Sequence, residues 1–547
     1  MKKNYLITLL LCPLFLIAQP GSESNITQIV ASIPYQGFGE AMAHLGTGEY
    51  QIYYDNIDGV LDKPIFFIDG FDPGDSRTIS IMYSALNYGN PVQNLADILR
   101  DEGYDLIVLN FPTYTSVSDG TTVIDGGADF IQRNAFILIE LINTINGMKV
   151  GSEQNVVIGP SMGGLISRYA LRYMEQNSLD HETRLYLSFD SPHLGANVPI
   201  GIQYLFNYMV NGDPMITEAE PLVSGLLNSA AAKQMLIDHY LAHLQGGSDF
   251  LQDTNITLPF GAPNFRDAFQ SELDAMGFPQ NTRNVSIING SGIGSTTGTP
   301  GLELINHTFE TGIVNGFQTR AIISTHFKPL ASQTIPVTDF KGQVNLGIWI
   351  DAFTYQAFGE TPSYTDGIDS APGGQFDLYS FDDGSNALIT EFVANLSSQY
   401  FNFIPTLSGL AITDTNDWYE IPNPASSPFD NVYIPNDNEP HVTLTDGNVA
   451  FAMNEILQGS LSISDIKETT KFKIEKNPIN GELTILSKND YNKALISIVD
   501  IMGKVIYSQN VNLSKRTSIP LNVASGLYIL NIETQNNLNY KTKIIVK

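Results

Sequence analysis

The stretch from Asn155 to Glu175, NVVIGPSMGGLISRYALRYME, constrains the fold more than any other part of this chain. It opens with an apolar run, residues 156–158, that is typical of a buried parallel strand, and it continues with apolar residues at helical spacing. Between the two lies GPSMG, residues 159–163, a G-x-S-x-G pattern at a strand-to-helix turn. Such a turn lifts its serine clear of the sheet edge, and glycines flank the serine because the turn is too tight for side chains. Ser161 is therefore predicted to be a nucleophile, although a glycine-rich turn that contains a serine by chance is the alternative.

Two backbone N–H groups are predicted to stabilise an oxyanion beside Ser161. The helix that follows the serine presents its N-terminal N–H groups and the positive end of its dipole, and the N–H of Met162 is the first predicted donor. An earlier apolar run, residues 65–68, predicts another buried strand, and the loop Asp-Gly-Phe-Asp-Pro follows it. The N–H of Phe71 in this loop is the second predicted donor. A plain strand-to-loop turn is the alternative.

Strand and helix patterns alternate around this turn, which predicts a mostly parallel α/β sheet flanked by helices. Residues 200 to about 283 depart from the alternation, because they are helical and rich in loops. They lie where a lid over the site would be inserted, although ordinary helical packing is an equal alternative. From Leu304 to Phe358 an alternating pattern predicts antiparallel hairpins added to the core.

A serine hydroxyl is a poor nucleophile until a base takes its proton, so the turn requires a histidine. His441 is the last of eight histidines and precedes a predicted terminal helix. Because the order in this arrangement is serine, acid, histidine, His441 is predicted to be the general base, with a surface-loop histidine as the alternative. His193 is expected to brace the site. His239 and His243 are four residues apart but lack a third ligand and the HExxH pattern, so no metal site is predicted there.

The acid that orients the histidine is the least determined member of the group. The expected position follows the predicted strand at 284–289, but the sequence there is Asn-Gly-Ser-Gly and contains no carboxylate. Asp369 is favoured because it precedes a rigid Ala-Pro-Gly-Gly turn, and Asp366 is its main rival. Weaker candidates are Asp339, Asp414 and Asp417.

Residues 1–19 are predicted to be a secretory signal peptide, because two lysines precede an apolar run from Tyr5 to Ala18 that is too short for a membrane anchor. The only cysteine, Cys12, lies in this run. A lipoprotein signal would place a small residue before the cysteine, where Leu11 stands. The mature chain would then have no disulfide and no thiol nucleophile.

The charge of the chain is divided unevenly, which indicates separate domains. From Lys467 onward there are 12 Lys and Arg against 6 Asp and Glu, which leaves 16 against 51 for the remainder. The length of 547 residues also predicts more than one domain. We predict a catalytic domain at 20–458, a linker at 459–470 and a C-terminal domain at 471–547. The acidic body argues against nucleic acid as a partner, since binding nucleic acid needs a basic surface.

Residues 159–169, GPSMGGLISRY, stand where lipases usually carry a sequence beginning GHSMGG. Residues 191–195, SPHLG, look like the Thr-Pro-His-x-Gly segment of lipases, and FIPTLS at 403–408 is similar to a segment that follows the acid in some of them. Over about residues 40–458 the chain therefore resembles the α/β-hydrolase superfamily, in its lipase and esterase branch. It departs from that pattern at Pro160 and at Asp69, where histidines are usual. The resemblance implies an ester hydrolase that acts on a lipid or a decorated polysaccharide and needs no cofactor.

The last 80 or so residues carry a second set of motifs, among them Asn477-Pro478, Val499-Asp500-Ile501-Met502-Gly503-Lys504 and Ser525-Gly526-Leu527-Tyr528. They resemble a type IX secretion C-terminal sorting domain, a small β-sandwich that an outer-membrane export machine reads. Turn signals between short apolar runs predict the same all-β structure from the residues alone. The resemblance implies a secreted or surface-exposed protein, and a carbohydrate-binding sandwich is the alternative.

Two other functions stay open at this point. The same machinery could hydrolyse an amide or transfer an acyl group to an acceptor other than water. A binding or adhesion protein could also retain the fold without catalysis, although the intact G-x-S-x-G turn argues against it.

Overall fold

The computed structural model describes residues 19–212, 219–382, 384, 386–457, 472–487, 489–500, 504–534 and 539–547, with the side chains of 539–541 left aside. Nearly all of the predicted signal peptide and the whole predicted linker at 459–470 lie outside these described residues. The chain divides into two compact units, with the division after Leu457.

The first unit consists of strands, helices and short helical turns. Its strands are β1 (Thr27–Tyr35), β2 (His44–Tyr53), β3 (Pro64–Ile68), β4 (Asn87–Tyr88), β5 (Gln93–Asn94), β6 (Asp105–Asn110), β7 (Thr113–Thr115), β8 (Val123–Asp125), β9 (Asn155–Pro160), β10 (Thr183–Phe189), β11 (Arg283–Ile287), β12 (Glu303–Val314), β13 (Phe317–His326), β14 (Thr334–Asn345), β15 (Trp349–Glu360), β16 (Gly373–Asp377), β17 (Tyr400–Pro405) and β18 (Asn431–Tyr433). Its α-helices are α1 (Ile79–Ser84), α2 (Leu95–Asp101), α3 (Ile131–Met148), α4 (Met162–Gln176), α5 (Ile200–Asn211), α6 (Ala230–Met235), α7 (Arg266–Met276), α8 (Ala387–Ala394), α9 (Thr406–Gly409) and α10 (Asp446–Leu457). A π-helix at Pro221–Leu227 and 3₁₀ turns at Gly126–Ala128, Tyr240–His243, Ile368–Ser370, Leu378–Phe381 and Pro424–Ser426 complete the elements.

Eight strands form the central sheet in the order β1-β2-β6-β3-β9-β10-β11-β18. Strand β2 is antiparallel to both of its neighbours, β1 and β6, and every other pairing is parallel. The central strands β3 and β6 are buried along their whole length, as the apolar run at 65–68 predicted for β3. This topology confirms the predicted α/β-hydrolase fold.

Helices cover both faces of this sheet, because side chains alternate along each strand. Val157 on β9 packs into the core that α3 and α4 complete, whereas its neighbours Val156 and Ile158 face the opposite core. Helices α1, α2 and α10 contribute buried side chains to that second core. The strand before Ser161 is therefore held from both sides.

Two insertions lie between β10 and β18. The antiparallel sheet β12-β13-β14-β15 confirms the hairpins predicted over Leu304–Phe358. The helical segment predicted at 200–283 contains α5, the π-helix, α6 and α7, with 213–218 outside the described residues. Helix α5 packs against β13, β14 and β15. Its function as a lid stays a prediction.

A buried ion pair joins the two insertions. Lys328, which follows β13, donates from Nζ to Oδ2 of Asp238 in the helical segment, and both side chains are almost fully buried. The other carboxylate oxygen of Asp238 accepts a hydrogen bond of 2.7 Å from Nε2 of His243. A buried charge needs such partners, because its transfer from water costs several kcal/mol.

The second unit is all-β. Its strands are β19 (Phe472–Ile474), β20 (Glu482–Ser487), β21 (Tyr491–Asp500), β22 (Val505–Leu513), β23 (Arg516–Pro520), β24 (Gly526–Glu533) and β25 (Asn539–Val546). They form two antiparallel sheets, β19-β20-β23 and β22-β21-β24-β25. Alternate residues of both sheets, such as Leu483 and Ile496, are fully buried in one apolar core, as in a β-sandwich. No helix among the described residues of either unit has the length and apolar character that crossing a bilayer requires.

Replacing Asp238 by asparagine tests the ion pair. We expect Asp238→Asn to lower the free energy of unfolding by about 3–5 kcal/mol, because Lys328 would keep a buried charge without an anion. Urea titration monitored by tryptophan fluorescence reports on the first unit alone, since Trp349 and Trp418 are the only tryptophans in the chain. The matched control is Asp351→Asn on exposed β15, for which we expect a change within about 0.5 kcal/mol. Equal urea midpoints for Asp238→Asn and Asp351→Asn would contradict a stabilising role of the buried ion pair.

Candidate active site

Ser161 lies at a sharp turn between β9 and α4, as the sequence predicted. Its φ of 52° is in the left-handed region, which is costly for a residue other than glycine. Its N–H donates to the carbonyl of Phe189 on the neighbouring strand at 2.8 Å. The surrounding structure therefore holds the serine in a strained conformation at the carboxyl end of the sheet.

Three glycines make this turn possible because each touches backbone or side-chain atoms closely. A Cβ on Gly159 would lie 2.4 Å from the carbonyl oxygen of Gly163, and one on Gly164 would lie 2.0 Å from Oγ of Ser191. A Cβ on Gly163 would lie 2.7 Å from the carbonyl oxygen of Ile68. Helix α4 could not start this close to β3 and β9 with larger residues.

The structure brings Ser161 and His441 together, although 280 positions separate them in the chain. Nε2 of His441 lies 2.9 Å from Oγ of Ser161. The histidine follows β18, and its N–H donates to the carbonyl of Gln375 at 2.8 Å. Its ring also packs edge-on against Phe403, with centroids 4.9 Å apart. Backbone and ring contacts thus fix the imidazole beside the serine.

The carboxylate beside His441 belongs to Asp190. Its Oδ2 lies 2.6 Å from Nδ1 of His441, and its Oδ1 accepts a hydrogen bond of 3.0 Å from the N–H of Asn289. Asp190 is completely buried, and a Cβ on Gly374 would lie 2.0 Å from its Oδ2. Because an ionised carboxylate only accepts hydrogen bonds, Nδ1 carries the proton and Nε2 is left to accept from Ser161.

The prediction that Asp369 orients the histidine is wrong. Asp369 is fully buried elsewhere: its Oδ2 accepts from the N–H of Lys328 at 2.7 Å, and its Oδ1 accepts from Nδ2 of Asn197 at 3.1 Å. Burial raises the pKa of this carboxyl. Its rival Asp366 accepts from the N–H of Ala331 at 2.8 Å. Both carboxylates fix loops of the insertions and do not reach the imidazole.

A sequence signal for Asp190 was present. It directly follows β10, which is the neighbour of β9 in the sheet, and the carboxyl ends of adjacent parallel strands meet at one edge. The expected position for the acid was one strand later, after β11; it has no carboxylate, so Asp369 was predicted instead. That position is occupied by Asn289, whose backbone N–H binds Asp190 instead. The order serine, acid, histidine is retained.

The other histidines singled out by the sequence serve the fold. Nε2 of His193 lies 2.8 Å from Oγ of Ser188, and burial keeps the pKa of His193 well below its ordinary value. His239 lies 2.9 Å from the carbonyl of Leu227 through Nε2, and His243 contacts Asp238. Among the residues that the structure describes, no three His, Cys, Asp or Glu side chains are grouped to hold a metal ion.

The loop after β3 runs beside the serine. A Cβ on Gly70 would lie 3.2 Å from Cβ of Ser161, so the next residue, Phe71, borders the same space. The N–H of Phe71 has no hydrogen-bond acceptor among the described residues. Met162 is the first residue of α4, so its N–H has no acceptor within the helix. Both predicted donors therefore remain available.

Arg77 holds this loop. Its Nη2 donates to the carbonyl of Phe71 at 2.9 Å and to Oδ1 of Asp69 at 3.0 Å. The same Oδ1 accepts the N–H of Gly70 at 2.8 Å. Burial raises the pKa of Asp69 to about 7 even though Arg77 is adjacent. Asp69, which replaces the histidine usual in lipases, thus fixes the loop through its hydrogen bonds with Gly70 and Arg77.

Ser161 and His441 open on a cavity of about 230 Å³. Its lining includes the polar side chains of Asp69 and Arg77 and the aromatic side chains of Phe71, Phe376 and Phe403. A substrate with a polar part and an apolar part fits such a lining.

Comparison with protein families finds two matches. Residues 125–210 match the family described as "Putative serine esterase (DUF676)", and residues 477–547 match the family described as "Secretion system C-terminal sorting domain". The first match includes the serine turn and Asp190, and it confirms the prediction of a serine hydrolase of the ester-cleaving kind. The second confirms the resemblance to a type IX sorting domain, which indicates export by that machinery.

No curated protein matches this chain. Solved structures that are similar to it include the Bacillus licheniformis lipase BlEst2, with 11% identity over 51% of this chain and 75% of that chain and a TM-score of 0.22. The peroxisomal α/β-hydrolase Lpx1 of Saccharomyces cerevisiae has 13% identity over 49% and 74%, with a TM-score of 0.26. A Pyrobaculum calidifontis esterase has 9% identity over 48% and 65%, with a TM-score of 0.24. At such TM-scores the fold assignment rests on the strand order and not on these alignments.

The close packing at the serine turn is testable with one methyl group. We expect Gly163→Ala to lower the free energy of unfolding by about 1–3 kcal/mol, because the added Cβ overpacks against the carbonyls of Ile68 and Asp69. The control is Gly147→Ala near the end of α3, where a Cβ meets no atom within 4 Å. That variant should be neutral or more stable by up to about 1 kcal/mol. Urea midpoints followed by tryptophan fluorescence compare the two, and a Gly163→Ala midpoint equal to that of the control would refute the steric argument.

Proposed function

We propose that the chain is a secreted carboxylic ester hydrolase in which Ser161, His441 and Asp190 form the catalytic triad. One observation supports this assignment above all others. Two consecutive hydrogen bonds, of 2.6 and 2.9 Å, connect the Asp190 carboxylate through the imidazole to the serine hydroxyl at the wall of a cavity. This arrangement makes a serine nucleophilic, because the base and its orienting acid are both in contact.

In the first half of the reaction, Oγ of Ser161 attacks the carbonyl carbon of the ester while Nε2 of His441 takes the hydroxyl proton. Asp190 stabilises the imidazolium that forms. The N–H groups of Met162 and Phe71 bind the negative oxygen of the tetrahedral intermediate, and one such donor is typically worth about 2.7–4 kcal/mol. The bond to the alcohol oxygen then breaks, and the imidazolium gives that oxygen its proton.

In the second half, a water molecule attacks the acyl-serine and His441 takes its proton. The second tetrahedral intermediate collapses, the proton returns to Oγ of Ser161 and a carboxylic acid leaves. In both halves Asp190 acts as a hydrogen-bond acceptor, from the N–H of Asn289 and from Nδ1 of His441. No cofactor takes part in either half.

The export part of this proposal combines the predicted signal peptide at 1–19 with the C-terminal unit. In a host that carries type IX machinery, we expect a chain that ends after Leu457 to retain its ester hydrolase activity but to stay inside the outer membrane. Activity in the medium and in the periplasmic fraction measures the distribution, with the full-length chain as the control. Equal release of both chains would remove the sorting function from the second unit.

The triad assignment is tested by labelling with a fluorophosphonate and by intact mass. We expect the wild type to gain one label and to hydrolyse p-nitrophenyl butyrate, and Ser161→Ala to do neither. Asp190→Asn should lower kcat by about 10⁴-fold, because the histidine would adopt the wrong tautomer. The matched control is Asp369→Asn, which removes a carboxylate equally buried but remote from His441. It should reduce stability while leaving kcat within about tenfold of the wild type.

Different outcomes would favour the other functions. Turnover of anilides in preference to esters would indicate an amidase, and acyl transfer to an added alcohol in preference to water would indicate a transferase. A folded wild type that takes no label would exclude the hydrolase and leave a binding protein on this fold.

A further inference from the structure

We propose that the acyl part of the substrate is a long unbranched fatty chain, which lies in a passage of three cavities in series that begins at Ser161 and is lined almost entirely by apolar residues beyond the first cavity. This inference rests on the proposed function, since it names the substrate class of the same site. The first cavity is the one of about 230 Å³ that contains Ser161 and His441. The other two are lined largely by residues of the insertions.

The second cavity has a volume of about 90 Å³ and shares three walls with the first, Phe71, Phe376 and Phe403. Every residue that lines it is apolar, including Ala232 of α6 and Ile202 of α5. Nothing in this lining could satisfy a hydroxyl or a charge, so a polar group buried there would lose its hydrogen bonds to water without replacement.

The third cavity has a volume of about 100 Å³ and shares Phe206, Leu222 and Phe381 with the second. It lies between the π-helix, α8 and the antiparallel sheet. The sheet contributes Phe309, Ala321 and Phe340 to its lining. Only Thr311 and Asn386 of its lining carry polar side-chain groups. The apolar path from the serine therefore continues into the added sheet.

Aromatic rings form the partitions between the cavities. Phe376 contacts Phe403 edge-on at 5.5 Å and Phe381 at 5.4 Å between centroids, and Phe206 contacts Phe381 at 6.3 Å. Since each ring borders two cavities, rotation of one ring about its side-chain torsions joins them. A narrow path of this kind admits a flexible hydrocarbon chain and not a sugar ring.

The energetics favour a long chain over a short acyl group. An acetyl or butyryl group would leave the second and third cavities unused. Each methylene that enters them is worth about 0.8 kcal/mol, or about fourfold in affinity. A decorated polysaccharide could contribute only the alcohol part of the ester, because the second cavity has no polar lining residue.

The experiment measures kcat/KM for the p-nitrophenyl esters of butyrate, octanoate, laurate and palmitate in detergent. We expect the wild type to prefer laurate or palmitate over butyrate by at least about tenfold. Ala232→Phe should fill the second cavity and shift the preference to octanoate or shorter. Ala321→Phe should fill only the third cavity, so that it lowers turnover of palmitate by at least about tenfold and leaves octanoate within about twofold.

Matched controls exclude a general effect of an added ring. The controls are Ala230→Phe and Ala352→Phe. Ala230 lies two positions from Ala232 on α6, and Ala352 is exposed on β15. Neither residue lines a cavity of the passage. Both should keep the wild-type chain-length profile. Ala230→Phe and Ala352→Phe should also retain fluorophosphonate labelling and butyrate turnover, and labelling of the two filling variants measures whether Ser161 is still reactive.

A binding measurement separates failure of the passage from failure of catalysis. Ser161→Ala protein, which has no nucleophile, should bind palmitate and should lose at least about tenfold in affinity with Ala232→Phe added. A wild type that is labelled and cleaves butyrate, but shows no gain with chain length and no response to either filling variant, would overturn the passage alone. A wild type that takes no label would overturn the proposed function, and palmitate binding by Ser161→Ala would then show that the passage exists without the chemistry.

Discussion

A buried carboxylate must be paired, and Asp190 satisfies that requirement in a way that sets the geometry around it. Its two oxygens bind the backbone of Asn289 after β11 and the imidazole of His441 after β18. Gly374 approaches so closely that no side chain fits there. One fully desolvated charge thus aligns the ends of two strands, a strand of the insertions and the histidine loop. The position of Ser161 depends on the same region, because its N–H binds Phe189 just before this aspartate.

Features that depend on neighbouring residues could be predicted from the sequence. The turn at Ser161 was one, because the glycines, the apolar strand and the amphipathic helix all lie within 21 residues of chain. The antiparallel hairpins were another, since their alternation is local. His441 was found from its order in the chain and not from any contact. The acid was missed because the turn motif after Asp369 was preferred over the position of Asp190 directly after β10, whose pairing with β9 the strand order then showed.

The insertions add a second layer of function to a sheet that already contains the reactive groups. Helix α5 packs against the antiparallel sheet, and the buried Asp238–Lys328 pair joins the helical segment to the chain that follows β13. The cavities beyond Phe376 are lined by these insertions, whereas Ser161 and Asp190 belong to the central strands. In the proposed function, chemistry and substrate choice therefore reside in different parts of the first unit. Substitutions in the insertions can be tolerated by the central strands, because the first and second cavities share only a few aromatic residues.

The placement of the acid after β10 has a consequence for how the chain becomes active. Ser161 and Asp190 belong to one strand-helix-strand unit, so their relative position is established by local folding, whereas His441 lies 251 positions beyond Asp190. Placing the loop of His441 beside Ser161 costs the conformational entropy of closing a long stretch of chain. Only the contacts of the folded insertions and of β18 can offset that cost. Until then the serine has no base and is inert. A chain released early from synthesis, or cut within the insertions, would carry a nucleophile that is correctly shaped but unable to react.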